Sequence, residues 1–357
     1  MSLKSSLAIT TGKSAYWFLH KFRNGGSSLP GKLTTKIDPD ILKVLGQNYD
    51  VIVITGTNGK TLTTALTVKV LNQKFDHVLT NPSGSNMEQG IVTTFLTAKR
   101  SKNGRQIAVL EVDEANVIMV TKYIKPVAFV LTNIFRDQMD RYGEIYTTYK
   151  KILDGIALVP EATIIANGDA SIFNSKELPN PIQYYGFNNQ SDHDVTADVN
   201  TDGILCPVCQ HVLHYNFIVY SNLGKYFCPN CGFKRPALKY ELTSVDQLTP
   251  ATSAFTIDGT SFNLHIGGLY NVYNALAAYS VGKFMGVTDD EIATALNDPD
   301  ERVFGRQEQI QVGDKEITIV LVKNPVGLNQ VIDMVGTETQ PFSLVGLLNA
   351  NYADGID

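Results

Sequence analysis

Long apolar runs are missing from this chain. No stretch approaches the roughly 18 consecutive apolar residues that a membrane-spanning helix needs. Residues 1–25 have no continuous apolar core running into a small-residue cleavage site, so no secretory leader is expected. Internal repeats and low-complexity tracts are absent, which excludes solenoid and fibrous classes. Cysteine is scarce, with four residues in 357. Acidic residues are absent from positions 1–37, which carry Lys4, Lys13, Lys21, Arg23, Lys32 and Lys36. The whole chain is at −5, so residues 38–357 hold −11. That acidic bulk argues against a general nucleic-acid binder. The basic arm also holds Ala15-Tyr-Trp-Phe-Leu-His-Lys-Phe22. It reads as a packed helix with a solvated basic face, membrane-surface contact being the alternative. The expectation is a cytoplasmic protein, associated at most peripherally with the inner face of the membrane.

What is present is a globular composition, 43% apolar and 18% charged, at a length that predicts about two domains. The most informative stretch is Val51-Ile-Val-Ile-Thr-Gly-Thr-Asn-Gly-Lys60-Thr-Leu-Thr-Thr64. A β-branched strand runs into a glycine-bracketed turn, a lysine and a hydroxyl, and a helix-compatible segment follows. This is the layout of a phosphate cradle. Gly56 and Gly59 let backbone N–H groups approach anionic oxygens, Lys60 adds a point charge, and Thr61 can offer its hydroxyl to Mg²⁺. The loop departs from the common spacing, because only Thr57 and Asn58 separate the two glycines.

The four cysteines form two pairs, Cys206-Pro-Val-Cys209 and Cys228-Pro-Asn-Cys231. Two Cys-x-x-Cys turns at this separation read as a zinc ribbon with four thiolates around a structural Zn²⁺. Two disulfides, or a redox pair, are the alternatives; a reducing compartment disfavours the first. His211 and His214, between the pairs, read as scaffold.

Strands are predicted at 106–113, 126–133 and 162–167, with helices at 38–49, 61–75, 89–98 and 144–158. Such alternation implies an α/β fold, a mostly parallel sheet with helices on both faces. Ligand groups then gather at the carboxyl ends of the strands, where Gly56 to Thr61, Glu111, Asn133 and Asn167 fall. The polar stretch 190–240 interrupts this rhythm and holds the ribbon as an insertion at 200–238. A glycine-opened helix restarts at 267–278. A strand at 315–322, a helix at 327–334 and a strand at 341–348 suggest a second α/β domain. The expected division is an N-terminal segment 1–45, a nucleotide-binding domain 46–300, and the start of a C-terminal domain 301–357 that looks truncated.

The loop from Thr55 to Thr61 resembles the ATP loop of the Mur ligases and of folylpolyglutamate synthetase. Four further segments follow in the Mur ligase order. They are Thr132-Asn133-Ile-Phe-Arg-Asp137-Gln138-Met-Asp140, Gly268-Leu-Tyr-Asn271-Val-Tyr-Asn274, Phe304-Gly305-Arg306-Gln307-Glu308 and Lys323-Asn324-Pro325. Glu111 matches the glutamate that ligates Mg²⁺ in that family. Gln138 replaces a histidine, and Asp113-Glu114 replaces two serines. The ribbon and the short segment before the loop are foreign to most members. With the acidic end Leu348-Asn-Ala-Asn-Tyr-Ala-Asp354-Gly-Ile-Asp357, the combination resembles the MurT family, the Mur-ligase-like subunits of lipid II isoglutaminyl synthases.

That resemblance implies a P-loop ATPase domain of Mur ligase type and an ATP-dependent amidation of the D-glutamate in lipid II through an acyl phosphate. Ammonia would come from a GatD-like glutaminase partner. It implies ATP contacts at Thr55, Gly56, Thr57, Asn58, Gly59, Lys60, Thr61, Thr63, Asn271, Asn274 and Arg306. Mg²⁺ would sit on Thr61 and Glu111. Lys60, Glu111 and Arg306 would be catalytic, and Asp354 or Asp357 would complete the partner's active site. A hinge at 301–305 would close the domains. The competing readings are a stand-alone amino-acid ligase of the Mur or folylpolyglutamate type, and a non-catalytic ATP-binding scaffold.

Overall fold

The computed structural model describes residues 2–22, 28–81, 84–99, 106–136, 145–188, 193–198, 201, 203–298 and 307–347. Its centre is a sheet of nine strands. In chain order these are β1 (Tyr49–Thr55), β2 (Leu79–Thr80), β3 (Gln106–Glu111), β4 (Ala128–Leu131), β5 (Thr163–Asn167), β6 (Ile182–Phe187), β10 (Tyr240–Leu248), β11 (Ser253–Ile257) and β12 (Thr260–Leu264). Their spatial order is β12-β11-β10-β6-β5-β4-β1-β3-β2. Pairing is parallel from β10 through to β2. The hairpin β11–β12 adds antiparallel strands at one edge.

Successive residues of a strand face opposite sides of the sheet. Val51 to Thr55, Ile107 to Glu111 and all of β4 are buried without alternation, so both faces are covered there. The helices that do this are α1 (Leu3–Phe22), α2 (Leu29–Ile37), α3 (Ile41–Leu45), α4 (Lys60–Leu71), α5 (Glu88–Thr97), α6 (Val117–Thr121), α7 (Ile145–Ile156), α8 (Leu269–Phe284) and α9 (Asp289–Leu296). Helix α4 packs on α8, α2 on α5 and α6 on α7. Gly282 lets α8 approach α4 closely: a Cβ there would sit 2.6 Å from Val70 Cγ1. A capping box of Thr288 and Glu291 starts α9.

The insertion forms a three-stranded sheet of β7 (Val195–Thr196), β8 (His214–Tyr220) and β9 (Leu223–Phe227). Phe217, Tyr220 and Leu223 pack into the main core, and a buried ion pair adds a polar fastening. Arg235 Nη1 donates to Asp169 Oδ1 at 2.7 Å, and the two side chains are 8% and 0% exposed. Asp169 Oδ2 also accepts from the Phe187 N–H and the Tyr273 hydroxyl, each at 2.8 Å. Burial pushes the Asp169 carboxyl above its ordinary value, while Arg235 and these donors pull the other way. Asp169 therefore ties the end of β5, the ribbon and α8 to one another.

The C-terminal segment pairs β13 (Gln307–Val312) with β14 (Lys315–Val320) as an antiparallel hairpin, and α10 (Pro325–Val335) follows. The strand predicted at 341–348 is not there: residues 341–347 have no regular structure, and 348 lies outside the described residues. A strand exists only as part of a ladder. Among the described residues this segment has no pairing partner, and Leu344, Val345 and Leu347 stand exposed.

Removing Arg235 leaves a carboxylate at zero exposure without its counter-charge. Arg235→Met is expected to lower stability by about 3–5 kcal/mol, read from the urea midpoint. Adding Asp169→Asn should restore part of that loss. A midpoint unchanged by Arg235→Met would show that the pair is not what holds the ribbon to the core.

Candidate active site and metal centre

The loop after β1 and the loop after β4 meet where the sheet order reverses direction, the usual place for a ligand in an open α/β sheet. Asn133 holds them together. Its carbonyl accepts from the Thr57 N–H at 2.9 Å and its side-chain oxygen from the Asn58 N–H at 2.9 Å. Its amide nitrogen donates to the Asn58 carbonyl at 3.1 Å, and the Thr132 hydroxyl does the same at 2.9 Å. Glycine is needed at Gly56, which has φ +131° and where a Cβ would lie 2.3 Å from Thr132 Oγ1 and 2.7 Å from the Asn133 carbonyl. Gly59, at φ +83°, is pressed against Asn274 Oδ1, 2.1 Å from where a Cβ would be.

The Thr57 and Asn58 N–H groups are thus occupied by the protein. What remains for an anion is the start of α4, where Lys60, Thr61 and Leu62 have N–H groups with no intrahelical acceptor. A cavity opens beside this helix start, lined by Asn58, Gly59, Thr61, Tyr270, Asn271 and Asn274 among others. Its apolar walls include Leu62, Ile266 and Val326.

The predicted binding residues are not all disposed alike. Thr55 is fully buried at the end of β1, and its hydroxyl has no partner among the described residues. Thr63 is also fully buried; its hydroxyl donates to Asn274 Oδ1 at 3.1 Å. Asn274 in turn donates to Asn271 Oδ1 at 3.2 Å, and Asn271 donates to the Gly267 carbonyl at 2.6 Å. Both asparagines border the cavity while bracing the loop. Arg306, Asp354, Asp357, the 137–143 part of the family-like segment and the predicted 301–305 hinge lie outside the described residues.

Glu111 ends β3 and is 4% exposed. Asn81 clamps its backbone with two bonds of 2.9 Å. Its carboxylate takes one long hydrogen bond among the described residues, from Asn86 Nδ2 at 3.4 Å. A buried carboxylate so sparsely donated to suits a cation.

Glu114 was legible only as a departure from the family pattern, and the structure gives it a partner. Lys60 Nζ lies 3.3 Å from Glu114 Oε2 and also donates to the Gly56 carbonyl. Burial pushes the Glu114 carboxyl above its ordinary value; Lys60 opposes this and Asp113 adds to it. Asn324 is the second residue whose role was hidden. It exchanges side-chain amide bonds with Asn58, at 3.0 and 3.3 Å, and caps α10 through the Gly327 N–H at 2.9 Å. The C-terminal segment is thereby joined to the phosphate loop itself.

The four cysteine sulfurs lie within 4.8 Å of one another. Cys206 and Cys231 are 3.6 Å apart and Cys209 and Cys228 3.5 Å, far beyond a disulfide bond. Metal–sulfur bonds of about 2.3 Å at tetrahedral angles place sulfurs about 3.8 Å apart, so the set fits one tetrahedral ion. The two knuckles repeat each other. The Gln210 and Gly232 N–H groups return to the carbonyls of Cys206 and Cys228, and both residues have positive φ. Hydrogen bonds from the Asn230 side chain and the His211 backbone bring the Cys209 thiol down to about 6. His214 pairs with Asp194.

Glu114→Gln keeps the shape of the site and removes the charge that holds Lys60. A nucleoside triphosphate is then expected to bind about 3- to 10-fold more tightly, as measured by calorimetry. Weaker binding would mean that Glu114 serves the occupied site instead.

The Mur ligase middle domain family matches residues 54–282, and the MurT ligase C-terminal family matches 321–357. The chain is 54% identical over its full length to the lipid II isoglutaminyl synthase (glutamine-hydrolyzing) subunit MurT of Streptococcus pneumoniae, of which it covers 79%. It is 35% identical, over 93% of its length, to the Staphylococcus aureus protein of the same name, of which it covers 75%. A solved pseudomurein peptide ligase type C from Methanothermus fervidus superposes with a TM-score of 0.65 at 25% identity, over 85% of this chain and 61% of that one. With its phosphate loop, parallel sheet and C-terminal segment in that order, the chain belongs to the Mur ligase family, in its MurT branch.

Proposed function

We propose that this chain is the ligase subunit that amidates the α-carboxylate of D-glutamate in lipid II, giving D-isoglutamine, with ATP as the driving reactant. The observation that carries the proposal is the cavity at the α4 N-terminus, lined by Gly59, Thr61, Asn271 and Asn274, in a chain 54% identical to the Streptococcus pneumoniae MurT subunit. A carboxylate is a poor acyl donor because oxide is its leaving group. Phosphorylation at a carboxylate oxygen supplies a leaving group, and ammonia then displaces phosphate from the acyl carbon.

The protein's contribution is position and charge. The α4 N-terminus and Lys60 would hold the phosphates, Lys60 exchanging Glu114 for phosphate oxygens. Thr61 and Glu111 would hold Mg²⁺, which when bound neutralises charge on the transferring phosphoryl group. The cavity walls Leu62, Ile266 and Val326 would receive the base. Roles for Arg306, Asp354 and Asp357 rest on the family resemblance. All four cysteines belong to one cluster, so none is left as a glutaminase nucleophile. A separate, GatD-like glutaminase subunit would therefore supply the ammonia. The cluster would hold a structural Zn²⁺, its four protein ligands leaving no open position.

Mass spectrometry of lipid II incubated with the protein, ATP, Mg²⁺ and ammonium chloride tests the reaction. The expected product has the carboxyl OH replaced by NH₂, and only when ATP is present. Lys60→Ala should lower kcat/KM by at least about 100-fold. ATP binding without product, even with a glutaminase and glutamine added, would favour a scaffold.

Metal analysis of the purified protein is expected to return about one zinc per chain. Cys228→Ser should lose it and unfold at lower denaturant concentration. A metal-free protein of unchanged stability would end the structural reading of the cluster.

A further inference from the structure

Helix α1 is amphipathic in the opposite sense to an ordinary surface helix. Its packed side is small and weakly apolar, namely Ser5, Ala8 and Gly12. Gly12 is required there, since a Cβ would lie 2.0 Å from Thr34 Oγ1 and 2.6 Å from Leu96 Cδ2. Ser5 Oγ donates to Asp38 Oδ2 at 2.7 Å, which fixes the helix by a polar contact. Ile9 packs against the core beside them, but four large apolar residues face outward: Leu3 is 93% exposed, Leu7 61%, Trp17 58% and Phe18 54%. At 100° per residue these four fall on one side of the helix, opposite the packed face. The Lys21 ammonium lies over the Trp17 ring, 4.8 Å from its centroid.

The charge carried by this helix has a single sign. Lys4, Lys13 and Lys21 lie on α1, and residues 1–37 carry six basic residues and no acidic one. A second copy of the chain would bring cations against cations, so this face is not complementary to itself. Among the described residues no helix is long and apolar enough to cross a membrane. An outward face with Leu3 and Leu7 near one end, Trp17 and Phe18 near the other, small Thr10 and Ser14 between them and lysines around it has the chemistry of a helix lying in a bilayer interface.

We propose that the outer face of α1 docks the protein on an anionic lipid bilayer. Leu3, Leu7, Trp17 and Phe18 enter the headgroup region, and Lys4, Lys13 and Lys21 meet lipid phosphates. The inference stands on α1 alone and is independent of the ligase reading.

Trp17 is the only tryptophan in the chain, so its fluorescence reports on this face and nothing else. The full chain is mixed with vesicles of phosphatidylcholine containing about one-third phosphatidylglycerol, a fraction that gives a strongly negative surface. The expected result is a blue shift of the emission, quenching by brominated acyl chains, and co-sedimentation that weakens at high salt. Pure phosphatidylcholine vesicles should give little of either. Leu7→Asp/Phe18→Asp, and separately Lys4→Glu/Lys13→Glu/Lys21→Glu, should each weaken co-sedimentation by at least about tenfold. Far-UV circular dichroism confirms that these exposed substitutions leave the fold intact. No blue shift with the anionic vesicles at low salt would overturn the proposal, as would undiminished sedimentation of either variant. A blue-shifted Trp17 without vesicles, accompanied by a dimer in sedimentation equilibrium, would overturn it in favour of self-association. Detergent-solubilised lipid II tests the amidation without a bilayer, so either idea can fail alone.

Discussion

The phosphate loop keeps its shape because one residue, Asn133, commits its backbone carbonyl and both ends of its amide to Thr57 and Asn58. A glycine-bracketed turn alone has many conformations and would lose entropy on meeting an anion. Bound to Asn133, the turn is set before any ligand arrives, and the N–H groups of the α4 start are aimed in advance. Asn133 can do this because β4 runs beside β1 in parallel, which brings the two strand ends level.

The same loop is the junction for everything else. Asn58 reaches the C-terminal segment through Asn324, and Gly59 lies against Asn274 on α8. Helix α8 also carries Tyr273, which shares Asp169 with Arg235 of the ribbon. The insertion also reaches the cavity directly, since Tyr220 at the end of β8 is one of its lining residues.

Features written in consecutive residues were legible in the sequence. The β-branched strand, the glycines and Lys60 lie within one short stretch, and the cysteine pairs declare their own spacing. The strands 106–111, 128–131 and 163–167 were legible because burial on both faces leaves unbroken apolar runs. Strands β10 to β12 were not, because their polar, Ser- and Thr-rich outer faces hide the periodicity at the sheet edge. Asp169 and Arg235 lie 66 residues apart, and nothing local announces such a pair. Glu114 was visible as a replaced serine, yet its contact with Lys60 depends on how β3 and α4 pack. The apolar run at 341–347 looked like a strand, because composition cannot say whether a neighbour exists to pair with it.

The Lys60–Glu114 contact has one further consequence. Cells hold abundant small anions, and a bare lysine at a helix start would collect them. Here an anion must first displace an internal carboxylate, a cost that is the same whatever the ligand's size. Inorganic phosphate, with few contacts to offset that cost, would be disfavoured. A triphosphate that also reaches Thr61 and the apolar cavity can meet it. The ion pair would therefore act as a threshold that filters ligands by the number of contacts they make.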